Sequence, residues 1–169
     1  METVEISKME YEFACFVGIQ RSSARIFSGS APAYGADLVK GQFDMNLSGA
    51  IAEYVVAKYL GCYWSYRPED MRFPDVGGAV EVRSTPHAEG YLRLHDRDKN
   101  EAPYVLVLTH EMPRLHLAGW ILGADGKVQD FFSDKWNTNR PAYWIGQDKL
   151  LPMSALKDRY WAWANKKGA

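Results

Sequence analysis

A length of 169 residues accommodates one domain with a sizeable core and is too short for two. With 47% hydrophobic and 24% charged residues, the composition is that of a globular protein and excludes a mainly disordered chain. Twenty Lys and Arg face 21 Asp and Glu, and the resulting formal charge of −1 excludes gripping nucleic acid by bulk positive charge while leaving room for a local basic groove.

No apolar run approaches the ~20 residues of a membrane helix, so no membrane partner is expected. The opening stretch METVEISKMEYE is acidic and lacks the basic start and apolar run of a secretory leader. Cys15 and Cys62 are the only cysteines, without metal-site or redox spacing, which points to a reducing cytoplasm. The six Trp and ten Tyr serve either core packing or stacking on bases and sugars, and composition does not choose between them.

In chain order, residues 11–17 read as a short strand, with Tyr11, Phe13 and Cys15 alternating against the other face. Residues 28–35 are small and polar and read as a surface loop. The clearest helix spans 46–60, with Asn46 able to cap its start and Gly61 able to end it in the left-handed conformation. Leu47, Ile51, Tyr54 and Val55 form one stripe, and Ala52, Val56 and Tyr59 carry it round the cylinder, so the helix is largely buried. Glu53 stands on this helix with no helical ion-pair partner, and any partner must come from elsewhere in the fold.

Strand patterns follow at 62–67, 79–85, 91–95, 103–109 and 115–122, then a turn at 123–126 and a last short strand at 142–145. The continuous apolar run 103–109 predicts a central strand covered on both faces. After Pro152 a closing helix places Leu156, Tyr160 and Trp163 on one face. This is an α/β or α+β order in a single domain over residues 1–169, and the α/β form predicts a central mixed sheet flanked by helices.

The chemistry concentrates in FPDVGGAVEVRST, residues 73–85. Asp75 precedes the Gly77-Gly78 turn, and the following strand carries Glu81 and Arg83 on one face while Val80 and Val82 enter the core. Two carboxylates brought close together favour a hard cation between them, Mg²⁺ or Mn²⁺. Such an ion binds a phosphodiester oxygen and lowers the pKa of an attacking water. The turn decides whether this works. A two-residue Gly77-Gly78 turn would pair Asp75 with Val80 and put Asp75 and Glu81 on opposite faces, so a metal site requires an odd-length or bulged connection, or an Asp75 that has already left the strand.

These residues resemble the PD-(D/E)XK nuclease superfamily, whose core is a buried helix followed by a hairpin carrying Asp and then Glu-x-Lys. Asp75 stands in a Pro74-Asp75 pair, Glu81-Val82-Arg83 occupies the place of Glu-x-Lys, and Glu53 in GAIAEYVVAKYLG matches the acidic residue many members carry on the first helix. The resemblance covers residues 46–122, and the run RPAYWIGQDKLLPM also resembles small phage or bacterial proteins of this type. It implies a restriction-endonuclease-like core and a nuclease acting on DNA with Mg²⁺ or Mn²⁺. Glu53, Asp75, Glu81 and the Val82 carbonyl would be the metal ligands, and a second copy of the chain is a further candidate partner.

Arg83 departs from the pattern, standing where the family carries Lys. Arginine keeps its proton at any working pH and cannot act as a general base, but it can orient a water and offset transition-state charge. The same departure supports a rival: a catalytically inactive nuclease fold that binds DNA or a protein partner. A third reading is an aromatic-rich interaction protein, favoured by the near-neutral charge.

Other motifs fail as written. His110-Glu111 opens like a zinc-protease helix, but Arg114 replaces the second His and Pro113 would break the helix. The segment 96–100 begins like a calcium loop, yet Glu101 takes the required Gly position and Val107 the closing Glu. His87 could approach the site from the strand's end, and Arg67, Arg72, Arg93 and Arg97 could meet phosphates; for all of these a solvated surface role is the default.

Overall fold

A computed structural model gives the fold; it describes residues 1–28, 40–64, 74–134 and 141–167, with side chains described throughout except at 40, 42 and 163–167. The elements are β1 (Glu2–Glu5), α1 (Lys8–Ser28), α2 (Lys40–Leu60), β2 (Glu81–Thr85), β3 (Leu92–Leu94), β4 (Pro103–Leu108) and β5 (Arg114–Leu122). There follow a single helical turn α3 (Gly123–Gly126), where a plain turn is expected, and then β6 (Phe132–Ser133), β7 (Ala142–Ile145) and α4 (Met153–Lys167).

The first helix overturns a sequence expectation. Residues 11–17 belong to α1 and not to a strand. Ser7 and Glu10 form a reciprocal capping box, the Ser7 N–H donating to Glu10 Oε2 at 2.7 Å and the Glu10 N–H to Ser7 Oγ at 3.3 Å. From that start the helical stripe Ala14, Val17, Gly18 and Ser22 is buried, while Tyr11 and Phe13 of the apparent alternation are exposed.

Helix α2 is covered on nearly every side: Ile51 and Val55 are buried as expected, with Ala52, Val56, Ala57 and Leu60. It starts at Lys40, so Asn46 lies inside it and does not cap it. Instead the Asn46 amide donates to Ser22 Oγ at 3.0 Å and ties α2 to α1. The helices approach closely here, because a Cβ on Gly18 would lie 2.8 Å from the Leu47 Cα. Gly61, at φ +72°, ends α2 as expected. The Gly61 and Cys62 N–H groups reach back to the Lys58 and Ala57 carbonyls, closing a Schellman motif. Residues 62–64 carry no strand, and 65–67 lie outside the described residues.

The main sheet has the order β1-β5-β4-β2, with β2 and β4 parallel and the other neighbours antiparallel. As predicted, β4 is buried on both faces. Val105 and Val107 join α1, α2 and α4 in one core, while Tyr104, Leu106 and Leu108 join a second core under the small sheet β3-β7-β6. The architecture is therefore α/β with a mixed sheet. Its long helices α1, α2 and α4 lie on one face; a second sheet, where helices were expected, covers the other. Leu156 and Tyr160 of α4 face the core as predicted, and the Trp163 side chain lies outside the described residues.

Candidate functional site

The connection before β2 is three residues long, Gly77-Gly78-Ala79. Val76 and Val80 pair across it, each N–H donating to the other's carbonyl at 3.0 Å. The register therefore sets Asp75 across from Glu81 on one face, which is the odd-length solution a shared site needs. Gly77 and Gly78, at φ +57° and +72°, supply the left-handed conformations of the turn, and a Cβ on Gly77 would strike the Tyr160 ring. The Val82 N–H, the next donor of the ladder, goes to Asp75 Oδ2 at 2.7 Å, which draws the carboxylate onto the edge strand β2.

Arg83 is held from three sides. Its Nη2 donates to Asp98 Oδ1 at 3.2 Å, its Nη1 donates to the Val82 carbonyl at 3.1 Å, and its guanidinium lies 5.0 Å from the centre of the Tyr104 ring. Asp98 is itself fixed by the His95 N–H at 3.0 Å, and the Tyr104 hydroxyl accepts from the Lys99 N–H at 2.8 Å. Lys99 Nζ stands 3.5 Å from Glu81 Oε1. The loop 96–100 thus supplies an acid and a base to the β2 face.

Glu53 lies on the helical side of the sheet and has its own cation. Arg21 of α1 grips it with two parallel bonds, 2.6 Å to Oε1 and 2.7 Å to Oε2, and the Trp64 indole donates to Oε2 at 3.2 Å. The partner does come from elsewhere in the fold, as the helix pattern requires. Burial pushes the Glu53 carboxyl up to about 7, against the opposing pull of Arg21, and the charge of Asp75 pushes the same way as burial. Asp75 is raised chiefly by burial, with the Val82 N–H, Arg83, Arg21 and Lys99 opposing. Glu81 is raised by burial and by Asp75.

Asp75 is thus the link between two charge groups: Glu53 with Arg21 on the helical side, and Glu81 with Arg83, Lys99 and Asp98 on the other. Glu53, Asp75 and Glu81 do not close into one cluster. Among the described residues, the group of three His, Cys, Asp or Glu side chains with ligand atoms all within 4.8 Å of one another is His110, Glu111 and His116. The Val82 carbonyl already accepts from Arg83. His87 is exposed beyond the C-terminal end of β2, Arg93 lies against the Trp144 ring, and Arg67 and Arg72 lie outside the described residues.

An open groove of about 360 Å³ lies beside the hairpin turn, lined by Pro74, Gly78, Lys99, Glu101, Arg159 and Tyr160 among others; Asp75, Glu81 and Arg83 are not part of its lining. Sequence reasoning missed Arg21, Asp98 and Lys99. Arg21 sits 32 residues from Glu53 and Lys99 sits 18 from Glu81, separations that carry no local periodicity. Compared with protein-family models, curated proteins and solved structures, the chain matches none.

Proposed function

We propose that the chain is a metal-dependent nuclease hydrolysing phosphodiester bonds in DNA, on a core of the restriction-endonuclease kind. The observation that carries this reading is the hairpin register, which sets Asp75 across from Glu81 with Arg83 two residues on. The donor set fits a hard divalent ion, Mg²⁺ or Mn²⁺: the acids are oxygen ligands, and burial, the first cause of the raised proton affinity of each, leaves their charge short of solvation that an ion would supply. Asp75 and Glu81 would hold it; Glu53 would join on release of Arg21, and the Val82 carbonyl on release of Arg83. When bound, the ion supplies a Lewis acid for the phosphodiester and a lowered pKa for an attacking water.

The protein's own groups do the rest. Arg83, fixed by Asp98 and Tyr104, holds a permanent positive charge beside the acids, where it orients the water and offsets charge gained in the transition state. Lys99 adds a second cation at Glu81, and the adjoining groove with Arg159 offers a path for a phosphate backbone despite the neutral whole. The free cysteines Cys15 and Cys62 support a reducing cytoplasm as the place of action.

The test is cleavage of plasmid and oligonucleotide DNA with Mn²⁺, comparing wild type with Glu81→Ala. Metal-dependent cleavage that disappears in the variant supports the reading. One observation favours the rival, an inactive nuclease fold that binds DNA or a protein: the Arg21 fork fills the place on Glu53 that an ion would need. DNA retention without cleavage under any divalent ion selects that rival.

A further inference from the structure

A second cluster stands at the opposite end of the main sheet. His110 follows β4, Glu111 is next in the turn, and His116 lies within β5. The sequence HEMPR fails as a helical zinc motif, but the β4–β5 turn brings in His116 in place of the missing histidine. Glu111 Oε2 lies 3.0 Å from His116 Nε2, and Oε1 lies 3.7 Å from His110 Nε2. The two imidazoles stack with centres 5.3 Å apart. The three ligand atoms all lie within 4.8 Å of one another. Tetrahedral zinc with bonds of about 2.0–2.1 Å needs ligand separations of roughly 3.4 Å, within reach of small side-chain rotations.

An independent contact prepares the site. Thr3 Oγ1 of β1 is 3.0 Å from His116 Nδ1, so it orients the ring with Nε2 toward Glu111. A hydroxyl both donates and accepts, and it can therefore accept a hydrogen bond from the Nδ1–H of His116 when Nε2 binds a metal. Two imidazoles and one carboxylate suit a borderline transition ion and not Mg²⁺. The geometry points to a Zn²⁺ site made by His110, Glu111 and His116, with Thr3 positioning His116 and a fourth coordination place left to water. It joins β1 to the β4–β5 turn. It does not depend on the nuclease reading: the Glu81 level of β4, at Tyr104, is four residues from Leu108 beside His116, roughly 13 Å at about 3.3 Å per residue.

The experiment is calorimetric titration of the chelator-treated full chain with ZnCl₂, alongside visible absorption on addition of Co²⁺. Wild type takes up one Zn²⁺ and develops a cobalt d–d band. His110→Ala and His116→Ala each weaken zinc binding by on the order of 100-fold or more and abolish the band, and Thr3→Val weakens binding by about 10-fold. Glu81→Gln leaves zinc binding unchanged, which separates this site from the acids on the β2 face. Far-UV circular dichroism in chelator checks that each variant is folded, and exposed His110 supplies a change outside the core. No zinc uptake by wild type overturns the inference, as does uptake that both histidine variants retain or that Glu81→Gln removes.

Discussion

Glu53 and Arg21 form a buried pair whose worth depends on each keeping the other. Arg21→Ala leaves a carboxylate enclosed by Trp64 and the α2 core, and should cost about 3–5 kcal/mol at pH 8. The cost should shrink at pH 5. Burial holds the Glu53 carboxyl at about 7 in the fold, above the ordinary carboxylate range. A raised acid stabilises the fold below its unfolded pKa and loses that contribution as pH rises through the folded one. Urea unfolding at both pH values is the measurement, and an equal cost at the two would mean that Glu53 does not take up the proton. At Arg83 the expectation concerns rate. Arg83→Ala should lose on the order of 10²–10³ in single-turnover cleavage at saturating Mn²⁺, the scale of one transition-state donor. Arg83→Lys keeps a cation in place and should retain substantial activity. An inert wild type that gains cleavage as Arg83→Lys would instead mark a fold retired from catalysis.

At the scale of elements, the docking of α1 on α2 carries an acid-sensitive latch. Glu10 receives the Lys58 ammonium at 2.7 Å and the Tyr54 hydroxyl at 2.8 Å, while also capping α1. The Lys58 hydrogen bond is the largest of the effects that hold its carboxyl down at about 2. The depressed pKa gives stability that is present above about 4.5 and lost as pH falls through about 2. Glu10→Gln should therefore lower the melting temperature at pH 7 and leave it unchanged near pH 2; a uniform drop would assign the effect to packing. The hairpin is the second element with a decisive geometry. Deleting Gly78 leaves a two-residue loop, which turns Asp75 to the face opposite Glu81. Cleavage should vanish in that variant while the β2–β4 pairing, formed by separate hydrogen bonds, keeps the chain folded. Full activity would remove the Asp75–Glu81 register from the mechanism.

For the molecule as a whole, divalent binding at the β2 face and protonation should compete. Asp75 and Glu81 both hold protons above the ordinary carboxylate range, Asp75 chiefly because it is buried and Glu81 because burial and Asp75 act together. Protons therefore compete with an ion for these acids more strongly as pH falls, and Mg²⁺ should raise the melting temperature more at pH 8 than at pH 5.5. Thermal melts with and without Mg²⁺ at the two pH values test this, with Glu81→Gln abolishing the difference. A rise independent of pH would place the ion elsewhere. No helix among the described residues is long and apolar enough to cross a membrane, in keeping with the absence of long apolar runs.

Local sequence determined much of the frame. The apolar girdle of α2, the left-handed Gly61 stop and the doubly buried run of β4 each follow from periodicity or one residue's backbone freedom, and each stands where the pattern puts it. The error at α1 was also local. Ser7 and Glu10 start a helix there, while Tyr11, Phe13 and Cys15 alternate as a strand would, because a half-exposed helix can mimic a period of two over a few residues. Tertiary structure decided what local pattern could not encode. Whether Asp75 faces Glu81 depended on one residue of loop length, and a single step of register turns a side chain to the other face. Arg21 reached Glu53, Lys99 reached Glu81, and His116 reached Glu111 only because packed helices, a folded loop and a strand turn brought distant residues within bonding distance. Charge pairing of this kind has no period along the chain, so it is set by the fold as a whole.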